Sequence, residues 1–135
     1  MVLESRVRSM YKDKGKKVLV VDDSEDNLLL MELLLQNEGY RVSSANSGTK
    51  GLEAVDKQLP DLIILDLMMP DMSGLEIIKH LKDRCYSANI PILLLTANCE
   101  FKYADRNIDA LCYKPFSFDS ILEQISSLLF FPAAV

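Results

Sequence analysis

Five short apolar runs alternate with segments of helical pattern, which predicts an α/β fold: a parallel sheet covered by helices on both faces. Two further observations support that class. The run at residues 62–65 (LIIL) shows no polar alternation, as suits a central strand buried on both sides. Polar residues also follow the runs at one and the same end: Asp22 and Asp23, Asp66, Thr96 and Lys114. A chain of 135 residues fits one domain, which hides about 65–70% of its unfolded surface on folding.

Composition narrows the function. The chain is 49% apolar and 26% charged with a net charge of -5, so the domain as a whole repels nucleic acid and DNA or RNA binding by it is not expected. Cys85, Cys99 and Cys112 are too widely spaced for a CxxC pair, and no signal-peptide pattern precedes them; a reducing cytoplasm is the expected location. The longest greasy stretch, residues 28–35, is broken by Glu32 and falls far short of the roughly 20 residues that cross a bilayer. No membrane anchor is expected.

Residues 1–16 form a basic arm without clean periodicity, read as a flexible tail ahead of a domain at residues 17–130 and a short tail at 131–135. The first strand, residues 18–21, ends in Asp22 and Asp23. Ser24 or Asp23 caps the next helix, with Glu25 and Asp26 well placed against its dipole, and Gly39 closes it after Glu38. That helix is apolar almost all round, leaving a narrow polar strip at Glu32 and Gln36. Wedging between the sheet and a neighbouring helix explains it first; a docking patch is the second reading.

Residues 40–45 make a second strand of edge character, with Val42 its best-buried candidate. A modest helix over residues 49–58 turns Leu52 and Val55 to the core before Pro60. After the central strand, Met69, Pro70 and Gly74 turn the chain into a helix that opens at Ser73 and carries Leu75, Ile77, Ile78 and Leu81 as far as Arg84. The fourth strand, residues 92–95, ends at Thr96. Residues 98–108 carry only a weak helical pattern. The fifth strand, residues 110–113, leads into Lys114, Pro115 and Phe116, and Ser117 or Asp119 starts a last helix with the stripe Ile121, Ile125 and Leu128.

In a doubly wound, three-layer sheet of flavodoxin-like order 2-1-3-4-5, a ligand sits beyond the carboxyl ends of the strands where the winding reverses, between strands one and three. The polar residues fall there. Three carboxylates in one crevice repel one another and a single Lys114 cannot balance them, so either one pKa rises or a cation binds. An all-oxygen site suits Mg2+, or Mn2+ in its place, better than zinc. No GxxxxGK[ST] cradle is present, so the phosphate is not presented by a tightly held nucleotide. A carboxylate beside a divalent ion, with a hydroxyl and an ammonium opposite, matches phosphoryl transfer to an aspartate.

The segments VLVVDDSEDN (18–27), DLIILDLMMPDMSGLE (61–76), PILLLTA (91–97) and YKPF (113–116) together closely resemble the receiver domain of two-component response regulators. The resemblance implies a CheY-like phosphoacceptor in which Asp66 takes a phosphoryl group from a phosphohistidine on a sensor histidine kinase or histidine phosphotransfer protein. It further implies that Asp23, Asp66 and the backbone carbonyl of Met68 hold Mg2+, with Asp22 acting through a metal-bound water. Thr96 binds a phosphoryl oxygen, Ala97 lets that loop approach, Lys114 pairs with the phosphate, and the bond before Pro115 is cis. Met68 and Asn98 govern how long the acyl phosphate survives.

Two positions depart from the family pattern. Leu111 stands where an aromatic switch residue is usual, and Tyr113, two residues on and on the same strand face, is the candidate to replace it. The span from Thr96 to Lys114 is short, so the fourth helix is expected to be trimmed and the usual dimer is not carried over. His80 is read as an ordinary helix residue, since a histidine phosphotransfer protein is a helical bundle. The expected product is a stand-alone receiver that acts through a downstream protein target and catalyses only its own phosphotransfer and dephosphorylation. A phosphorylation-independent interaction module is the second reading. An aspartate-nucleophile phosphatase is the third, disfavoured because Leu67 and Met68 follow Asp66 in place of a DxD opening.

Overall fold

The computed structural model of the chain describes residues 15–97, 108–115 and 117–130. Their elements are β1 (Lys17–Val21), α1 (Glu25–Asn37), β2 (Arg41–Ala45), α2 (Gly48–Lys57), β3 (Leu62–Asp66), α3 (Gly74–Lys82), β4 (Ile92–Thr96), β5 (Ala110–Tyr113) and α4 (Phe118–Phe130). The basic arm up to residue 14, the expected trimmed helix with Asn98 and Cys99, Phe116 and the C-terminal tail lie outside the described residues.

All strand pairs are parallel and the order is β2-β1-β3-β4-β5, as the alternation requires. Successive strand residues point to opposite faces, which divides the core in two. Leu19, Val21, Ile63, Leu65, Ile92 and Leu94 pack with Leu52 and Val55 of α2 and Ile77, Ile78 and Leu81 of α3. On the other face Val18, Val20, Leu62, Ile64, Leu93 and Leu95 meet Leu28, Met31 and Leu35 of α1 and Ile121 and Ile125 of α4. Burial on both sides is why LIIL carries no polar alternation, and each such side chain contributes about 1.5–3 kcal/mol.

Helix starts follow from serine caps. Ser24, Ser47, Ser73 and Ser117 accept from the backbone N–H three residues on, so Ser24 rather than Asp23, and Ser117 rather than Asp119, provide the expected caps. After α1, Gly39 takes φ 95°, and its N–H donates to Gln36.

Two expectations change. In β2 the buried residue is Ala45, while Val42 is only half-buried, because an edge strand has a neighbour on one side alone. Wedging accounts for only one stripe of α1, Leu28, Met31 and Leu35; Leu29, Leu30 and Leu33 are each more than half exposed. Glu32 does not lie on a free polar strip but is half-buried and accepts from the Ser44 hydroxyl. No helix among the described residues is long and apolar enough to cross a membrane.

Candidate functional site

β1 and β3 are neighbours with Val21 level with Leu65, so the next residue of each, Asp22 and Asp66, arrives at the same height. With Asp23 they form a cluster in which one carboxylate oxygen of each lies within 4.8 Å of the others. Asp22 and Asp66 are buried and Asp23 is exposed, so the cluster opens to solvent on the Asp23 side.

Each buried carboxylate is held by its own loop. Asp22 Oδ1 accepts from the Ser24 N–H at 2.9 Å and Oδ2 from Asn27 Nδ2 at 3.3 Å, while its own N–H donates to Ala45. Burial pushes the Asp22 carboxyl above its ordinary range; the Ser24 N–H pulls it down, and the nearby Asp66 charge adds to the rise. Asp66 Oδ1 accepts from the Met68 N–H at 3.0 Å, and Oδ2 meets Lys114 Nζ at 3.1 Å. Among the described residues, three carboxyl groups gather where Lys114 supplies an ammonium, an excess of acidic over basic groups.

Gly74 shapes the acceptor loop. Its N–H donates to Leu67 O at 2.8 Å, and a Cβ at this position would fall 2.9 Å from both Asp66 O and Leu67 Cα. Only glycine lets α3 start this close to the strand end. The other strand ends complete the rim. Thr96 is fully buried at the end of β4, level with Tyr113, and its carbonyl accepts from the Lys114 N–H at 2.7 Å. That bond anchors the residue whose ammonium reaches Asp66. The Lys114–Pro115 peptide is cis, as the resemblance implies.

Met68, Ala97 and Tyr113 are exposed around the rim. Leu111, the residue at the usual aromatic position, is half-buried and packs against the core face that holds Ile63, Leu65 and Leu94.

Sequence reasoning had not singled out Asn27 or Asp71. Asn27 lies in the first turn of α1, where an amide reaching back to the strand end is a usable signal. Asp71 in the acceptor loop accepts from the N–H groups of Gly48 and Thr49 at 3.1 and 3.2 Å, contacts between residues more than 20 apart that no local pattern reveals. These two bonds hold the Asp71 carboxyl below its ordinary range.

The donor set fits a hard divalent cation: the clustered oxygens carry excess negative charge, and no nitrogen or sulfur ligand joins them among the described residues.

Known proteins resemble this chain in sequence and in fold. Residues 18–126 match the sequence model of the response regulator receiver domain. The polar-differentiation response regulator DivK of Brucella ovis is 34% identical over 118 residues, covering 84% of this chain and 96% of that one. The alkaline phosphatase synthesis transcriptional regulatory protein PhoP of Bacillus subtilis is 35% identical over 85% of this chain, but the chain spans only 49% of its length, and it spans a similar or smaller share of several other relatives. Among solved structures, the receiver domain of the sensor histidine kinase PA1611 from Pseudomonas aeruginosa, with a magnesium ion coordinated in its active site cleft, superposes with a TM-score of 0.73 at 26% identity, covering 85% of this chain and 97% of that one.

Proposed function

We propose that this chain, which belongs to the response regulator receiver domain family, accepts a phosphoryl group on Asp66 from a phosphohistidine of a sensor kinase or histidine phosphotransfer protein. One observation carries the reading: Asp66 is gathered with two further carboxylates within 4.8 Å while Lys114 Nζ contacts it at 3.1 Å. That combination supplies an anionic nucleophile, oxygen ligands and a cation for the transferred group.

A carboxylate oxygen of Asp66 attacks phosphorus; the phosphorus–nitrogen bond breaks, its electron pair stays on the departing imidazole, and a mixed anhydride remains on Asp66. The Met68 N–H on Oδ1 fixes the carboxylate plane for that approach. Lys114 already touches Asp66 and is within reach of a phosphoryl oxygen carried there. Asp23, Asp66 and the Met68 carbonyl would hold Mg2+, or Mn2+, with Asp22 acting through a metal-bound water, and the ion would supply charge neutralisation for the transferred group. The magnesium in the PA1611 receiver cleft supports this choice.

Thr96 receives a phosphoryl oxygen, with the small Ala97 giving room. Thr96 is fully buried beforehand, and a shift at the end of β4 brings it onto the phosphoryl oxygen. Because Thr96 and Tyr113 are level on adjacent strands, that shift passes to Tyr113 as the switch aromatic and to a surface read by a downstream protein. Asn98 and the exposed Met68 set how quickly water removes the group. The chain works in the cytoplasm, turning over nothing but its own phosphoryl group.

Incubation with phosphoramidate and Mg2+ followed by intact-mass measurement tests the proposal. Wild type gains one phosphoryl group and Asp66→Asn gains none. No gain with any small-molecule donor contradicts the proposal and favours a phosphorylation-independent interaction module, and sustained turnover of phosphate esters favours a phosphatase.

A further inference from the structure

The seven residues between β3 and α3 carry Met68, whose N–H fixes Asp66 and whose carbonyl is assigned to the metal. Leu67 at the start of this loop is tied at both ends, its N–H donating to Leu95 O at 2.9 Å and its carbonyl accepting from Gly74. The middle of the loop is tied elsewhere. Asp71 Oδ1 accepts from the Gly48 N–H at 3.1 Å, and Oδ2 accepts from the Thr49 N–H at 3.2 Å and the Thr49 hydroxyl at 3.3 Å. Ser47 Oγ takes the Lys50 N–H of the same turn. All three N–H groups opening α2 are thus satisfied, two of them by a residue of the acceptor loop.

Steric fit points the same way. A Cβ on Gly48 would stand 2.7 Å from Met72 Cβ and 3.0 Å from Ile77 Cδ1, so the start of α2 lies directly on the acceptor loop and on α3. Farther along, α2 rests at Gly51 on Val21, the residue before Asp22. The end of β1, just before Asp22, and the acceptor loop therefore share α2 as a common support.

We propose that Asp71 is a positioning residue: by capping α2 from the acceptor loop it sets the place of Met68, and so of Asp66, relative to Asp22 and Asp23. The proposal rests on the reading of Asp66 as a metal-assisted phosphoacceptor. Asp71 lies outside the cluster and touches neither the metal nor the phosphoryl group. It acts through the backbone of Met68.

Calorimetric titration with Mg2+ alone, melting temperatures, and amide hydrogen exchange on the metal-free chain test it together. In Asp71→Ala the Mg2+ Kd rises about tenfold, and exchange quickens at Met68 as well as at Gly48 and Thr49. Asp71→Asn loses the same charge but keeps one acceptor oxygen, so its Kd falls between the two. Thr49→Ala, which removes only the hydroxyl contact and folds whatever becomes of the alanine variant at 71, moves Kd the same way by less.

An unchanged Kd in Asp71→Ala despite faster exchange at Gly48 and Thr49 overturns the proposal, leaving a structural cap alone. Equal Kd values for the Ala and Asn variants overturn it in favour of charge. If wild type takes up phosphate and binds Mg2+ while the variants match it, only the positioning role falls; if wild type does neither, the phosphoacceptor reading falls and takes this one with it.

Discussion

Two carboxylates on this domain, Asp22 in the crevice and Asp71 on the acceptor loop, each accept two or more hydrogen bonds, yet their affinities for protons move in opposite directions. Asp71 is exposed, and the Gly48 and Thr49 N–H groups draw its carboxyl down. Asp22 has the Ser24 N–H and the Asn27 amide, but its burial and the Asp66 charge outweigh them. Hydrogen bonds favour the charged form and burial opposes it, so the larger of the two sets the direction. The crevice is therefore strained without a cation and the cap is not.

The largest expected effect is chemical. Asp66→Asn abolishes phosphoryl uptake outright, read as a missing mass gain, while Asp71→Ala lowers uptake without abolishing it.

The next is steric. Gly74→Ala drives a methyl into Asp66 O and Leu67 Cα, backbone atoms that cannot step aside, and lowers unfolding free energy by about 2 kcal/mol in denaturant titration. No such loss is expected at an exposed helix start.

Third, Asp22→Asn removes one of the repelling charges and raises the melting temperature of the metal-free chain by roughly 3–6 °C, while weakening Mg2+ binding in calorimetry. The same substitution at Asp71 lowers the melting temperature. Opposite signs at the two sites sharpen the contrast; equal signs break it.

Titration separates them further. The folded chain binds a proton at Asp22 more tightly than the unfolded chain, so Asp22 costs stability above its folded pKa. That cost fades as pH falls toward the ordinary value of 3.8. Asp71, with its depressed pKa, contributes stability fully present above 3.8 and lost as pH falls through its folded value. Melting temperatures of the metal-free Asp22→Asn and Asp71→Asn variants, compared with wild type from pH 7 to pH 3, separate the two. The gap at Asp22 closes on acidification before the gap at Asp71 does.

The smallest effect is on α1, where Leu30→Ser or Leu33→Ser changes stability by no more than about 0.5 kcal/mol, since both side chains already face solvent.

How legible each region was in the sequence follows from the range of its contacts. The strands announced themselves because residues 18–21, 62–65 and 92–95 are apolar without alternation, which in a short run demands burial on two faces. The crevice was legible because parallel strands deliver their ends to one edge, so Asp22, Asp66, Thr96 and Lys114 had to converge. The face of α1 was not legible: with leucine at positions 28, 29, 30, 33, 34 and 35, its wheel offers several stripes, and only the sheet decides which is covered. Nor was Asp71. Its partners lie more than 20 residues away, at the start of a helix that no local pattern ties to the acceptor loop.

The central claim is that the acidic cluster uses a divalent cation to place a phosphoryl group on Asp66, and peptide mapping by tandem mass spectrometry after phosphoramidate treatment, with Mg2+ or with a chelator, tests it most directly. The label is expected on Asp66 with Mg2+ and absent with the chelator. A label elsewhere on the chain, or one on Asp66 that is indifferent to the cation, contradicts it.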